Sequence, residues 1–187
     1  MPRYVLTGAP GSGKTALLRL LERAGHAVVE EAATDVIALE QALGEPEPWT
    51  RPDFVDLIVT LQRERQLGEP CGRAQTFFDR SPVCTLALAR YLDLPPSPLL
   101  GAELTRISSQ EIYAQPVFFV RNQGFVTSTA ARRISFADSL IFEKMHEEAY
   151  RELGFGLIEV PAAPLAERAE LVCRAAVAAR PKTMGAR

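Results

Sequence analysis

The sequence predicts an α/β fold, in which a central, mainly parallel sheet of five strands carries helices on both faces. Short apolar runs alternate along the chain with longer amphipathic segments, which is the pattern of strands joined by crossover helices. A glycine-rich loop lies between the first apolar run and the first amphipathic segment. The 187 residues are 47% hydrophobic and 24% charged, a composition that suits one globular domain.

The first strand is predicted over residues 4–6, and the segment GAPGSGKT follows it from Gly8 to Thr15. This is the G-x-x-x-x-G-K-[ST] pattern of a phosphate-binding loop, or P-loop. Glycines such as Gly11 and Gly13 let the backbone curl so that successive N–H groups point at one anion. A helix predicted over residues 16–23 adds the partial positive charge of its N-terminus.

The P-loop predicts a site for ATP and Mg²⁺. Lys14 is expected to contact the β- and γ-phosphates and to act in catalysis, and Thr15 is expected to ligate the metal. The alternative, an ordinary glycine-rich turn, does not require the strand, loop and helix that occur here in this order. The predicted nucleotide-binding residues are Gly8, Ala9, Pro10, Gly11, Ser12, Gly13, Lys14, Thr15 and Ala16.

The segment HAVVEEA predicts a second short strand, which enters a helix that continues to about Leu43. Glu30 and Glu31 close this strand and are predicted to contact the substrate or the metal shell. An acidic pair at the start of a helix is an equal alternative, because carboxylates are favourable there.

The third strand is the apolar run TFFD, which ends at Asp79. A proline-rich loop at residues 44–52 precedes it, followed by a helix with Asp53 in the N-cap position and Gly68 as its stop. An acid at the end of a buried strand faces the P-loop and can hold magnesium or accept a proton from a hydroxyl. Asp79 is therefore a predicted catalytic and Mg²⁺-binding residue, with a helix N-terminal charge as the alternative, and Arg80 is a predicted substrate contact.

The second half of the chain continues the alternation. PVCTLALARYL predicts a helix, residues 99–113 predict another, and PVFFVRN predicts the fourth strand. The polar segment at about residues 122–135 is predicted to be a mobile lid over the transferring phosphate. Within it, Arg132 and Arg133 are expected to be catalytic, because a lid arginine can stabilise charge on a phosphoryl group. A solvated charged loop is the alternative.

The last elements are a long amphipathic helix closed by Gly154, a fifth strand in GLIEVP, and a helix over residues 164–179. A single domain is expected over residues 1–180, with residues 181–187 as a flexible tail. Ligands of such a sheet gather at the carboxyl ends of its strands.

Composition narrows the function classes. The net charge of −2 gives no support for broad nucleic-acid or anionic-membrane binding. No membrane span and no signal peptide are expected, which favours a cytoplasmic protein. Cys71, Cys84 and Cys173 lack metal-ligand spacing and are interpreted as buried free thiols. His26 and His146 are interpreted as surface or hydrogen-bonded residues.

Missing motifs narrow the class of P-loop protein. The fourth strand exits into RNQG and not into the Asn-Lys-x-Asp motif with which a GTPase reads guanine. The chain is short for the helical lid domain of a AAA+ motor, and long recombinase or transporter insertions are missing. These observations favour a compact P-loop kinase-like domain, a three-layer sandwich of helices, sheet and helices.

Four segments together resemble a known family: GAPGSGKT, VVEEAATDVI, FFDRSPVCTLALARYL and EEAYRELGFGLIEVP...LAERAELV. They are similar to the AAA-like ATPase/kinase domain family of P-loop NTPases, typified by the nicotinamide riboside kinase domain of the bacterial regulator NadR. The resemblance covers about residues 3–175. It implies an ATP and Mg²⁺ site at Gly11 to Thr15 with Asp79 as acidic partner, and an adenine-side loop after Val160. The sequence departs from the family at Ala33, where members often carry arginine in an E-x-x-R pattern.

The predicted function is transfer of the ATP γ-phosphate to a small acceptor, and the resemblance favours a nucleoside-like acceptor. The acceptor is expected between Glu30, Glu31, the helix from Asp53, and the Asp79–Arg80 pair. The alternative is a nucleotide-gated regulatory ATPase, in which ATP occupancy moves the lid and no acceptor is phosphorylated. A DNA-directed ATPase is disfavoured because no basic stripe accompanies the loop.

Overall fold

The structure, a computed structural model, describes residues 2–69, 75–125 and 134–179. The strands are β1 (Arg3–Thr7), β2 (Ala27–Val29), β3 (Thr76–Asp79), β4 (Val117–Val120) and β5 (Leu157–Val160). The helices are α1 (Lys14–Arg23), α2 (Ala32–Ala42), α3 (Phe54–Leu67), α4 (Pro82–Tyr91), α5 (Pro98–Ser109), α6 (Phe136–Glu152) and α7 (Leu165–Ala178), with a short 3₁₀ helix at Pro48–Thr50.

The five strands form one parallel sheet in the order β2-β3-β1-β4-β5. This confirms the predicted fold class and the number of strands. Every residue of β3 and β4 is buried, as expected for parallel strands that are covered on both faces. The central position of β1 places the loop that follows it at the middle of the carboxyl edge.

Helices cover the sheet on two sides. On one side, Leu17 of α1 and Val172 of α7 join an apolar cluster with Phe118 of β4. On the other side, Ala87 of α4 belongs to a cluster with Phe78 of β3 and with residues of α3, α5 and α6. Burial of one large apolar side chain, such as Leu17 or Phe118, stabilises the fold by roughly 1.5–3 kcal/mol. The two helical layers therefore hold the strands that carry the site.

The predicted ends of the second strand and of the helix over residues 99–113 lie beyond the ends that the structure shows. The second strand ends at Val29, before the two glutamates, and Glu31 is the N-cap of α2. The helix predicted to reach residue 113 ends at Ser109, because Glu111 adopts a left-handed backbone with φ of 47° that cannot continue a helix. Asp53 occupies the predicted N-cap of α3, but its carboxylate accepts hydrogen bonds from Arg51 and not from the helix.

Cys84 is buried and Cys173 is half-buried, and both are free thiols, whereas Cys71 lies outside the described residues. Arg132, Arg133 and the tail at 181–187 lie outside them as well, so the assignments made there stay predictions. Within the part of the chain that the structure describes, no helix is both long and apolar enough to cross a membrane.

Candidate functional site

The P-loop is packed tightly between β4 and α7. Gly8 has a φ of 128°, and a Cβ on it would lie 2.2 Å from the carbonyl oxygen of Val120. Gly13 has a φ of 82°, and a Cβ there would lie 2.9 Å from Nη1 of Arg168. Only glycine fits either position without moving the backbone or a buried arginine. Gly13 is also the N-cap of α1 and has no side chain that could cap the helix. The first N–H groups of the helix are therefore available to an anion on the loop.

Lys14 is buried and folds back onto its own loop. Its Nζ donates hydrogen bonds to the carbonyl oxygens of Gly8 at 2.9 Å and Ala9 at 2.8 Å, and to Oγ of Ser12 at 3.2 Å. Burial, together with the nearby charge of Arg80, lowers the pKa of Lys14 from 10.5 to about 8. A triphosphate on this loop would replace the carbonyl contacts with ion pairs to phosphate oxygens and favour the ammonium form.

ATP affinity is therefore expected to depend on pH in the alkaline range. Below about pH 8 Lys14 is already protonated in the free protein, and affinity should be flat. Above that pH the free protein must take up a proton on binding, so affinity should fall by up to about tenfold per pH unit. Calorimetry at pH 9 in two buffers of different ionisation enthalpy measures the proton uptake directly. Lys14→Met should abolish that uptake, and an uptake that survives in this variant would assign it to another group.

Asp79 lies beside the P-loop, as its place at the end of β3 predicts. The strand register pairs it with Leu6 of β1, and Oγ1 of Thr15 donates a hydrogen bond to its Oδ2 at 3.3 Å. Its Oδ1 is buried and has no hydrogen-bond partner among the described residues. Burial raises the pKa of Asp79, although the charge of Lys14 opposes the shift.

An unpartnered buried carboxylate oxygen costs free energy, and a cation would remove that cost. The described residues contain no group of three His, Cys, Asp or Glu side chains arranged to hold a metal. Mg²⁺ does not need one, because in phosphate sites it is commonly held by one or two carboxylates together with phosphate oxygens and water. Thr15 and Asp79 therefore fit a magnesium ion that arrives with a nucleotide.

Arg80 has an unusual backbone conformation, and two side chains hold its guanidinium. Its φ of 76° is a left-handed value that is rare for a residue with a side chain. Nε donates to Oε1 of Glu31 at 2.5 Å, and Nη1 lies 2.7 Å from Nε2 of His146. Although burial disfavours the guanidinium charge, Glu31 raises the pKa of Arg80 above its ordinary value.

The buried ring of His146 must be neutral in this arrangement. Its Nδ1 lies 2.8 Å from the carbonyl oxygen of Phe142, which can only accept a proton, so Nδ1 carries the hydrogen. Nε2 is then a lone-pair acceptor for Arg80, which can only donate. Burial, followed by the charge of Arg80, keeps the pKa of His146 well below 6.5. His146 thus orients Arg80 and does not compete with it for protons.

The structure brings Glu31 into the site and leaves Glu30 outside it. Glu31 also accepts a hydrogen bond from Oγ1 of Thr34 at 2.9 Å. Burial would raise the pKa of Glu31, but the charges of Arg80 and Lys14 outweigh burial and lower it. Glu30 has a side chain that is 53% exposed and pairs with Arg19 at the surface.

Two cavities meet at this ion pair. One, of about 270 Å³, is formed by the P-loop residues. The other, of about 400 Å³, has mostly apolar walls, which include Ile37, Trp49, Phe54, Ile58, Tyr91 and Phe142. Glu31 and Arg80 line both.

Gln62 of α3 is a polar residue in the wall of the apolar cavity. Oγ1 of Thr85 donates a hydrogen bond to its Oε1 at 2.9 Å, and both residues line the cavity. With the amide oxygen engaged in this way, the amide N–H₂ group is the one left to donate to a ligand.

Three residues of the site were missed by sequence reasoning: Gln62, His146 and Arg168. Gln62 occupies an ordinary polar position in an amphipathic helix, and no local sequence pattern indicates that it belongs to a site. His146 is an isolated histidine in the sequence, and none of the residues next to it in the chain indicates a contact with Arg80. Arg168 lies in the segment LAERAELV, which resembles the family but does not by itself indicate a role for the arginine.

A five-stranded parallel sheet in this order, with a P-loop after β1 and an acidic residue at the end of β3, defines a P-loop protein of kinase-like fold. A family model described as an AAA domain matches residues 3–168. The chain belongs to that family. A comparison with curated proteins finds no match.

Solved structures share the fold. A NadR protein in complex with NAD and AMP-PNP aligns with a TM-score of 0.67 and 15% identity, covering 99% of this chain and 52% of that one. A NadR protein in complex with NR gives 0.64 and 19%, covering 85% and 43%. Deoxyadenosine kinase from M. mycoides, with products dCMP and a flexible dCDP bound, gives 0.60 and 14%, covering 95% and 100%. The chain spans about half the length of the NadR chains, and identities this low show likeness of fold.

Proposed function

We propose that this protein is an ATP-dependent small-molecule kinase that phosphorylates a hydroxyl of an acceptor held in the apolar cavity. The observation that carries the proposal is the Glu31–Arg80 pair, which lines both the P-loop cavity and the apolar cavity. A carboxylate and a guanidinium at that junction are the groups that phosphoryl transfer between the two cavities needs.

On the nucleotide side, ATP would bind along Gly8 to Ala16, with Lys14 turned from its own carbonyls towards the β- and γ-phosphates. Thr15 and Asp79 would hold Mg²⁺, which neutralises part of the triphosphate charge. The solved neighbours support nucleotide use in general, because one NadR protein of this fold is in complex with AMP-PNP.

On the acceptor side, aromatic and aliphatic walls favour a flat apolar group, and Gln62 provides a donor for one edge of it. This chemistry suits a nucleoside-like acceptor, in line with the dCMP and dCDP bound to the M. mycoides kinase.

The transfer step can be written with the residues in place. The acceptor hydroxyl forms the new P–O bond, its proton passes to the carboxylate of Glu31, and the bond from the γ-phosphorus to the bridging oxygen breaks to release ADP. Arg80 would stabilise charge on the transferred group. Arg132 and Arg133, which lie outside the described residues, remain the proposed lid cations for the same charge.

The proposal is tested by release of ADP in a panel of nucleosides with ATP and magnesium. Acceptor-stimulated release and a phosphorylated product are expected for at least one nucleoside. ATP stabilisation with slow, acceptor-independent hydrolysis would instead support a nucleotide-gated ATPase.

Lys14→Ala is expected to remove most of the stabilisation that ATP gives to the wild-type protein. A ligand at a hundredfold its Kd stabilises by about 2.7 kcal/mol, and loss of the charged contact should reduce that term sharply. Thermal denaturation with and without ATP and magnesium measures the effect. Lys144→Ala, at an exposed lysine on α6, is the matched control. An unchanged ATP shift in Lys14→Ala would mean that the loop does not hold the triphosphate.

A further inference from the structure

Arg168 is a buried cation directly behind the P-loop. It lies in the first turn of α7, its residue is 4% exposed, and its Nη2 donates to the carbonyl oxygen of Ser12 at 2.6 Å. Among the described residues no carboxylate lies within ion-pair distance of it, and its buried Nε has no hydrogen-bond partner. Burial lowers the pKa of its guanidinium, but an arginine keeps its proton throughout the physiological range.

Two other arginines that are largely shielded from solvent have their charge balanced by a carboxylate. Arg80 pairs with Glu31, and Arg106 pairs with Glu103 through two hydrogen bonds. A buried charge without an oppositely charged partner is unfavourable in free energy. In this protein the charge of Arg168 lies behind an anion-binding loop. An anion bound to that loop would reduce the unfavourable free energy.

The contact to Ser12 also sets the direction of one loop amide. In a trans peptide the C=O of one residue and the N–H of the next point in opposite directions. Because the Ser12 carbonyl points at Arg168, the N–H of Gly13 points away from Arg168. Gly13 itself lines the cavity formed by the loop.

We propose that Arg168 is a positioning residue of the nucleotide site, which fixes the Ser12–Gly13 peptide for a polyphosphate and whose charge that polyphosphate compensates. The inference rests on the proposed function only in requiring that the P-loop binds a polyphosphate. It does not require that transfer follows. It also agrees with glycine at position 13, where the φ of 82° disfavours a side chain and Arg168 occupies the space of a Cβ.

The test compares Arg168→Gln and Arg168→Lys with Arg174→Gln, an exposed arginine on the same helix that pairs with Glu170. Arg168→Gln removes the charge, so the free protein should be as stable as wild type or more stable. Its Kd for ATP and for inorganic tripolyphosphate should rise about tenfold, the lower end of what one hydrogen bond from a charged group contributes. Arg168→Lys keeps the charge and should recover part of the affinity, and Arg174→Gln should match wild type. In ¹⁵N-labelled protein the Gly13 amide resonance should shift in Arg168→Gln but not in Arg174→Gln.

Each of the other outcomes contradicts the role of Arg168, the kinase proposal, or both. Unchanged Kd values in Arg168→Gln, with a wild type that binds tripolyphosphate, would overturn the role of Arg168 alone. A less stable free protein with an unmoved Gly13 resonance would show a packing role only and would also overturn it. A wild type that binds polyphosphate but phosphorylates no acceptor would refute the kinase proposal and leave Arg168 supported. A wild type that binds neither ATP nor tripolyphosphate would overturn both.

Discussion

Asp79→Asn is expected to leave the protein folded and to lower phosphoryl transfer by at least about a hundredfold. The substitution keeps the shape of the side chain and removes the charge that faces the P-loop. Burial already raises the pKa of Asp79, so the fold penalises the ionised form and should tolerate a neutral amide. A carboxylate whose pKa is raised by folding destabilises the native state above its unfolded pKa, so at pH 7 the variant should be as stable as wild type or slightly more so.

Loss of the Asp79 charge should change the magnesium dependence of ATP binding as well as the turnover rate. Oδ1 of Asp79 has no partner among the described residues, and Oδ2 is shared only with Thr15, which suits a metal-holding role better than a proton-accepting one. A titration of ATP affinity against magnesium separates the two roles. Asp93→Asn is the control, because Asp93 is exposed and has a φ of 55° that asparagine also adopts. Normal transfer and normal magnesium dependence in Asp79→Asn would leave this carboxylate as a charge at a helix start.

The parts of the site that the sequence predicted are those whose chemistry is local. The P-loop folds from eight consecutive residues, and its glycines and lysine are required by the same short turn. Asp79 could be placed because a buried parallel strand must end at the edge where the loop begins, and in the structure it pairs with Leu6 of β1. The sheet followed from the alternation of apolar runs with amphipathic segments.

The parts that could not be predicted depend on contacts between distant elements. Arg80 meets His146 across 66 positions and Arg168 meets Ser12 across 156, and no local pattern indicates either pairing. Gln62 acquires its orientation from Thr85 only after α3 and α4 pack together. Periodicity also could not choose between Glu30 and Glu31, because the choice depends on a strand that stops at Val29.

Glu31→Gln is expected to lower the rate of transfer by about a hundredfold or more while ATP affinity changes little. Glu31 lines both cavities, and Arg80 and Lys14 keep its pKa below the ordinary glutamate value, so the carboxylate is ionised and able to accept a proton at neutral pH. Glutamine can still accept a hydrogen bond from Arg80 but cannot take the proton of an acceptor hydroxyl. The effect should therefore fall on kcat in steady-state kinetics, with KM for ATP nearly constant.

The adjacent residue provides the control for this variant. Glu30→Gln removes the same charge one position earlier, where it costs only a surface pair with Arg19, and exposed pairs are worth at most about 1 kcal/mol. Glu31→Gln also leaves Arg80 without its carboxylate, so lower stability is expected from it, and the assay must be run well below the melting temperature of the variant. If Arg80 fails to hold its position, KM for the acceptor should rise together with the fall in kcat. A fall in kcat alone assigns proton acceptance to Glu31, and equal rates in Glu31→Gln and Glu30→Gln would remove it from the mechanism.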